Sequence, residues 1–211
     1  MHNKILVLAT LNQGKISEFK DLLSSFPVEI KSLQDFGPIP PVKEDGETFE
    51  ENAYKKAHTT AKILGLPVLA DDSGLEVQAL GGLPGVRSAR YAGEEATDKE
   101  NNLKLLETMK GIADRKASFK CVISIAVPRG PALTYEEECK GEITHEMKGG
   151  HGFGYDPIFY YPPLKKTFAQ MSVEEKNRVS HRARATAQLL DEFDRVIVWL
   201  EQRLSEEVSS E

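Results

Sequence analysis

Cysteine is scarce in this chain. Cys121 and Cys139 are the two in 211 residues, too few for a disulfide framework and in keeping with a reducing compartment. Long apolar runs are missing as well: none approaches the ~20 residues that span a bilayer. The N-terminal KILVLA stretch carries no cleavage-site pattern. Neither a membrane span nor a secretory leader is expected, and the cytoplasm is the expected location. Positive charge is not in excess: 27 Lys and Arg face 33 Asp and Glu, a net charge of −6. Such a chain has no general attraction for nucleic acid, and any polyanion it binds must meet a local cluster of donors. No repeat or low-complexity linker interrupts it. What is present is ordinary globular composition, 40% hydrophobic and 28% charged, over a length that buries a sizeable core.

The apolar pattern predicts alternating strands and helices. Lys4 to Ala9 is a short continuous apolar run, as in a strand buried on both faces. Ile16, Phe19, Leu22 and Leu23 follow at helical spacing, and Val28 to Ser32 reads as a second strand. The Pro- and Gly-rich residues 33–47 predict a long loop, of the kind that often carries function. Thr48 and Glu51 have capping-box spacing ahead of an apolar stripe of Phe49, Ala53, Ala57, Ala61 and Leu64. Pro67 to Ala70 predicts a buried strand ending at DDSG, and residues 81–93 a glycine-rich loop. A helix is predicted from about Thr97 to Lys110. Phe119 to Val127 alternates with period two, and Ala132 to Lys140 returns as its antiparallel partner. From the capping pair Ser172 and Glu175, a stripe through Val179, Ala183, Ala187 and Leu204 predicts one long C-terminal helix. Residues 1–204 are expected to form a single domain and 205–211 a flexible tail. The class is α/β with a mixed sheet.

Four stretches carry chemistry. Thr10, Leu11, Asn12, Gln13, Gly14 and Lys15 lie between a buried strand and a helix, where backbone N–H groups and the helix dipole converge on a point suited to a phosphate. Lys15 adds a mobile charge; the spacing is not that of a Walker loop, and the turn also fits plain N-capping. Asp71-Asp72-Ser73-Gly74 places adjacent carboxylates after a strand, suited to a hard cation such as Mg²⁺ beside a phosphate. Neighbours on extended backbone point oppositely, so one carboxylate faces the site; the same residues also fit a capped turn. Glu44, Asp45 and Glu47 offer a further metal carboxylate. In GGHGFGYDP (149–157), four glycines permit close backbone approach, while Phe153 and Tyr155 are candidates either for stacking on a base or for anchoring in the core. Lys176, His181 and Arg182 form a donor cluster or a solvated helix face; with Val179 and Ala183 directed at the core, His181 and Arg182 need not be buried. Together these are what a nucleoside triphosphate needs at its phosphates, its metal and its base.

Read in order, ATLNQGK, GETFEENAYKKA, PVLADDSGLEV, LGGLPGVRSARYAG, GGHGFGYDPIF, KTFAQM and EKNRVSHRARA resemble the inosine/xanthosine triphosphate pyrophosphatase family over roughly Ile5 to Leu190. The resemblance implies an elongated mixed central sheet with flanking helices, two lobes around an active-site cleft, and a homodimer. The activity it implies is hydrolysis of ITP, dITP and XTP to the monophosphate and pyrophosphate, with Mg²⁺. Thr10, Asn12, Gln13, Gly14 and Lys15 would bind the triphosphate, Lys15 also serving catalysis. Asp72 would be proton acceptor and metal ligand, and Ser73 would contact substrate. Phe153, Gly154, Tyr155, Asp156, Lys176, His181 and Arg182 would hold the nucleotide. The family often has a glutamate pair before the loop glycine where this chain has Lys43-Glu44-Asp45-Gly46, so Glu44, with Glu47 as alternative, is the second metal carboxylate. Two other readings stand beside this one: a nucleotide pyrophosphatase of different base preference, and a non-catalytic nucleotide-binding module. A pure binder gains nothing from carboxylates beside phosphates without a metal.

Overall fold

A computed structural model describes residues 4–26 and 28–208. In chain order the elements are β1 (Lys4–Leu8), α1 (Gln13–Leu23), β2 (Val28–Ser32), α2 (Phe49–Leu64), β3 (Val68–Val77), α3 (Asp98–Thr108), β4 (Lys116–Ala126) and β5 (Ala132–Ile143). They are followed by β6 (Phe159–Tyr161), β7 (Lys166–Thr167), α4 (Val173–Val179), α5 (His181–Asp191) and α6 (Phe193–Val208). The strands form a seven-stranded sheet in the order β2-β1-β3-β4-β5-β6-β7. β1 runs parallel to β2 and β3, whereas β6 runs antiparallel to β5 and β7. The fold is therefore mixed α/β, with helices flanking the sheet.

The chain divides into two compact units: one holds the residues up to Asp72, Val122–Glu136 and those from Ala185 onward, the other Ser73–Cys121 and Glu137–Arg184. The first packs α2 on the sheet. Ala57 and Ala61 lie one helical turn apart against Val7, Val68, Ala70 and Ala126, all buried, and small residues at that spacing let a helix approach a sheet closely. Thr48 caps α2 by accepting the Glu51 N–H at 3.1 Å. The Glu51 carboxylate reaches the N–H of Glu47 at 2.7 Å rather than that of Thr48. Gly65, left-handed at φ 65°, closes the helix through its N–H to Ala61, a conformation that suits a residue without Cβ. The second unit has its own core of Leu75, Val77, Leu105, Met109, Phe119, Tyr155, Phe159 and Phe168, among others. Each large apolar side chain buried in this way contributes about 1.5–3 kcal/mol. Cys139 belongs to that core, and burial pushes its thiol up to about 11.

Two expectations from the sequence are corrected. DDSG does not follow a strand; it lies inside β3, which continues to Val77. Asp71, Asp72, Leu75 and Val77 are buried along it, so this stretch is sheet rather than turn. The C-terminal segment is also not one helix. Ser180 is extended (φ −68°, ψ 155°), and its hydroxyl accepts the Ala183 N–H at 3.2 Å. It thereby ends α4 and caps α5, because a serine that bonds a nearby N–H competes with helix continuation. The break re-phases the apolar stripe: Ala185 and Leu189 are buried, whereas Ala187 is exposed. α6 continues to Val208, past the point where a tail was expected, and residues 209–211 lie outside the described residues. No helix among the described residues is long and apolar enough to cross a membrane.

Candidate active site

In the first unit, β1 leads through a short loop into α1. Asn12 caps α1 by accepting the Lys15 N–H at 3.2 Å, and its own N–H donates to the Thr10 hydroxyl at 3.2 Å. Gln13 and Gly14 form the first helical turn, where the unpaired N–H groups of a helix favour an anion. Lys15 does not extend into solvent: its Nζ lies 3.0 Å from Asp71 Oδ2, with Asp71 almost fully buried.

Asp72 points to other partners, as neighbours on a strand must. Its Oδ2 accepts the Asn52 Nδ2–H at 3.1 Å, and its Oδ1 lies 3.5 Å from Lys56 Nζ. Asn52 also accepts the Gly46 N–H at 2.8 Å, which ties the acidic loop to α2. Within that loop Glu44 turns inward, its Oε2 3.0 Å from Lys56 Nζ. Asp45 turns to Lys43 and Lys55 instead, and Glu47 is exposed. Lys56 is thus a buried ammonium bracketed by two carboxylates. Burial alone would lower its pKa; Asp72, Glu44 and Asp71 outweigh that and raise it. Burial is also the chief influence on Asp72 and lifts its carboxyl above the usual range, with Lys56 and Lys15 opposing.

Asp71, Asp72 and Glu44 face two ammoniums, Lys15 and Lys56. Fully ionised, the group carries a net single negative charge, which repels phosphate unless a further cation joins it. The donors fit a hard divalent ion, since Asp72 and Glu44 already flank one buried positive group. Among the described residues no set of three or more His, Cys, Asp or Glu is arranged to hold a metal. Asp72 and Glu44 are the carboxylates that would hold such a cation.

Asn52 and Lys56 escaped the sequence reading. Their mark was there: positions 52 and 56 interrupt the buried side of α2 beside the alanine stripe, and Asn52, Lys56 and Thr60 are all buried.

The second unit gathers the remaining candidates. Asp156, 2% exposed, accepts the Phe153 N–H at 3.0 Å and Lys176 Nζ at 2.7 Å. Lys176 Nζ lies 4.6 Å from the centre of the Phe153 ring, and Arg182 Cζ lies 5.6 Å from it. Arg182 also reaches the Ser73 hydroxyl at 3.4 Å. His181 stacks on Phe119, with ring centroids 4.7 Å apart. Lys176, His181 and Arg182 are all buried, so the solvated-face alternative does not hold; the break at Ser180 turns His181 and Arg182 inward, while Lys176 is drawn in by Asp156. Tyr155 is a core anchor, 3% exposed, and its hydroxyl donates to the Ser88 carbonyl at 2.9 Å. Phe153 is half-buried, which leaves it as the ring of this loop able to take a base. Gly152 and Gly154 are left-handed, and a Cβ on Gly152 would collide with the Asp156 carboxylate.

Comparison with known proteins places these residues in context. A model described as the Ham1 family matches residues 6–192. A dITP/XTP pyrophosphatase of Desulfotalea psychrophila is 62% identical over 203 residues, covering 96% of this chain and 91% of that protein. One of Syntrophobacter fumaroxidans is 60% identical over 207 residues, covering 98% and 89%. Among solved structures, a HAM1 protein from Coxiella burnetii superposes with a TM-score of 0.85 at 42% identity, covering 91% of this chain and 99% of that one. The Staphylococcus aureus Ham1 protein gives 0.81 at 46% identity, covering 91% and 98%.

Proposed function

Because this chain belongs to the Ham1 family, we propose that it hydrolyses deaminated purine nucleoside triphosphates, dITP, ITP and XTP, to the monophosphate and pyrophosphate. The observation that carries the reading is the buried Lys56 ammonium between Glu44 and Asp72. With Asp71 and Lys15 beside it, this is a buried carboxylate cluster left with one negative charge in excess, which a divalent cation would offset.

Water attacks the α-phosphorus, the α–β anhydride bond breaks, and pyrophosphate leaves. Asp72 accepts the proton of the attacking water at its carboxylate, a role open to a positioned group of suitable basicity. Lys15 exchanges Asp71 for a phosphate oxygen. With the N–H groups of Gln13 and Gly14 and the side chains of Thr10 and Asn12, it holds the pyrophosphate as charge gathers on it. Asp72 and Glu44 would hold Mg²⁺, whose chemistry would be to neutralise phosphate charge and lower the pKa of water. Lys56 keeps the two carboxylates together, and its charge opposes the effect of burial on Asp72.

The base lies against Phe153. Inosine and xanthosine present a 6-oxo acceptor, and Lys176 and Arg182 offer donors beside that ring. Adenine presents a 6-amino donor, which leaves those donors unpaired, each at about 1–3 kcal/mol. Ser73 and Gly154 complete the contacts, with His181 fixing the start of α5 beside Arg182 and Asp156 holding Lys176. The protein works in the cytoplasm as a homodimer.

Incubation with ITP, XTP, GTP and ATP, with and without Mg²⁺, tests the reading by product analysis. The expected result is pyrophosphate from ITP and XTP but not ATP, only when Mg²⁺ is present. Orthophosphate as the product, or equal turnover of ATP, would contradict it.

A further inference from the structure

The structure assigns a positioning role to Asp98 and Asn102, two side chains on the first turns of α3 that grip the peptide of Gly154 from behind and so fix the Phe153 ring. This rests on the proposed function in one respect, that Phe153 faces the base.

The start of α3 is itself pinned. Thr97 accepts the Glu100 N–H at 3.3 Å, and the Glu100 carboxylate accepts the Thr97 N–H at 2.7 Å. On that fixed turn, Asp98 Oδ2 accepts the Gly154 N–H at 2.6 Å. Asn102, four residues on and so on the same helix face, donates Nδ2–H to the Gly154 carbonyl at 2.7 Å and to the Asp98 carbonyl at 2.6 Å. Both Asn102 contacts are to carbonyl oxygens, so its amide nitrogen must point toward them. Gly154, at φ 60°, thus has both its backbone polar groups held by side chains of one helix. The residues on either side are held separately, Phe153 N–H by Asp156 and Tyr155 by the Ser88 carbonyl.

Asn102 is 1% exposed, and its Oδ1 makes no hydrogen bond among the described residues. A buried amide with one unsatisfied oxygen is costly and calls for an explanation; what Asn102 supplies in return is its Nδ2–H donation to the Gly154 and Asp98 carbonyls. An amide at this position is accounted for if the orientation of Gly154 matters to substrate. The neighbouring Phe153 ring is the element whose place depends on it, with Lys176 and Arg182 gathered around that ring.

Asp98 is exposed, so replacing it leaves the core intact. Asp98→Ala and Asp98→Asn both remove the charge near the helix start, but Asp98→Asn keeps an oxygen able to accept the Gly154 N–H. Two measurements are made on each. In Asp98→Ala, hydrogen exchange at the Gly154 amide accelerates by about 10-fold or more, as expected for loss of a charge-assisted hydrogen bond. KM for dITP rises about 10-fold with kcat within about 2-fold, and the dITP-over-dATP preference falls in parallel, the pattern of lost binding without lost chemistry. Asp98→Asn stays within about 3-fold of the parent in both measurements, since its oxygen retains a weaker neutral hydrogen bond. Unchanged exchange in Asp98→Ala overturns the grip. Faster exchange with KM and preference unmoved overturns its role in recognition. Failure of the parent protein to hydrolyse dITP strikes the proposed function, and the exchange measurement still decides the grip.

Discussion

Asp72→Asn lowers the single-turnover rate on dITP by about 10²- to 10⁴-fold, the range a positioned general base contributes, while substrate binding changes little. The side chain keeps its shape. An amide oxygen still accepts from Asn52, and Lys56 keeps Glu44 at 3.0 Å, so the fold is not left with an isolated buried charge. What disappears is the group proposed to take a proton, which is also one of the two carboxylates proposed to hold the metal. Rapid-quench measurement at saturating substrate and metal separates this from weakened binding. Turnover within a few-fold of the parent would remove Asp72 from the chemistry. The same substitution has a signature in stability. Burial raises the folded pKa of Asp72 above its ordinary 3.8, so the parent's protonated form favours folding below that ordinary value. This contribution is lost as pH rises through the folded pKa. The Asp72→Asn protein lacks it, and its melting temperature relative to the parent therefore increases from acid toward neutral pH when measured in chelator.

The second large effect concerns the base. Replacing both donors, Lys176→Met with Arg182→Leu, collapses the preference for ITP over ATP by about 10²- to 10⁴-fold, because each buried donor left facing the adenine amino group accounts for about 1–3 kcal/mol. Lys176→Met alone has a further consequence. It strands the Asp156 carboxylate, 2% exposed and 2.7 Å from the ammonium, and breaking a buried pair in this way costs about 3–5 kcal/mol. Adding Asp156→Asn removes the stranded charge and restores most of the melting temperature. The base preference stays lost, since the donor is still absent. Recovery of both together would mean that Lys176 acts on the fold and not on the substrate. The comparison is read from kcat/KM on ITP and ATP alongside thermal unfolding.

What the sequence made legible was local. The strand, turn and helix around Thr10–Lys15 and the caps at Thr48 and Ser172 follow from short-range rules, and the structure has them; β4 is a strand as expected, but its burial alternates only up to Cys121, beyond which both faces are covered. The carboxylates of DDSG, the aromatic loop and the basic cluster were recognisable by residue type. The partners of those groups were not. Lys56 stands on a helix whose pattern reads as an ordinary amphipathic stripe, and its importance depends on Glu44 and Asp72, 12 and 16 positions away. Asp98 and Asn102 looked like polar residues of a surface helix until the fold brought Gly154, more than 50 residues later in the chain, against them. The break at Ser180 was hidden because the apolar stripe runs on past it at helical spacing; the extended backbone and the bond from the Ala183 N–H show that this serine caps a new helix. That one residue turned His181 and Arg182 from an expected surface into buried groups.

Hydrolysis of dITP in water enriched in ¹⁸O is the most direct measurement of the proposed chemistry. Attack at the α-phosphorus puts the label into the monophosphate and leaves the pyrophosphate unlabelled. Label in pyrophosphate or orthophosphate would place the attack at another phosphorus, and the assignment of Lys15, Asp72 and Glu44 around the α–β bond would be wrong.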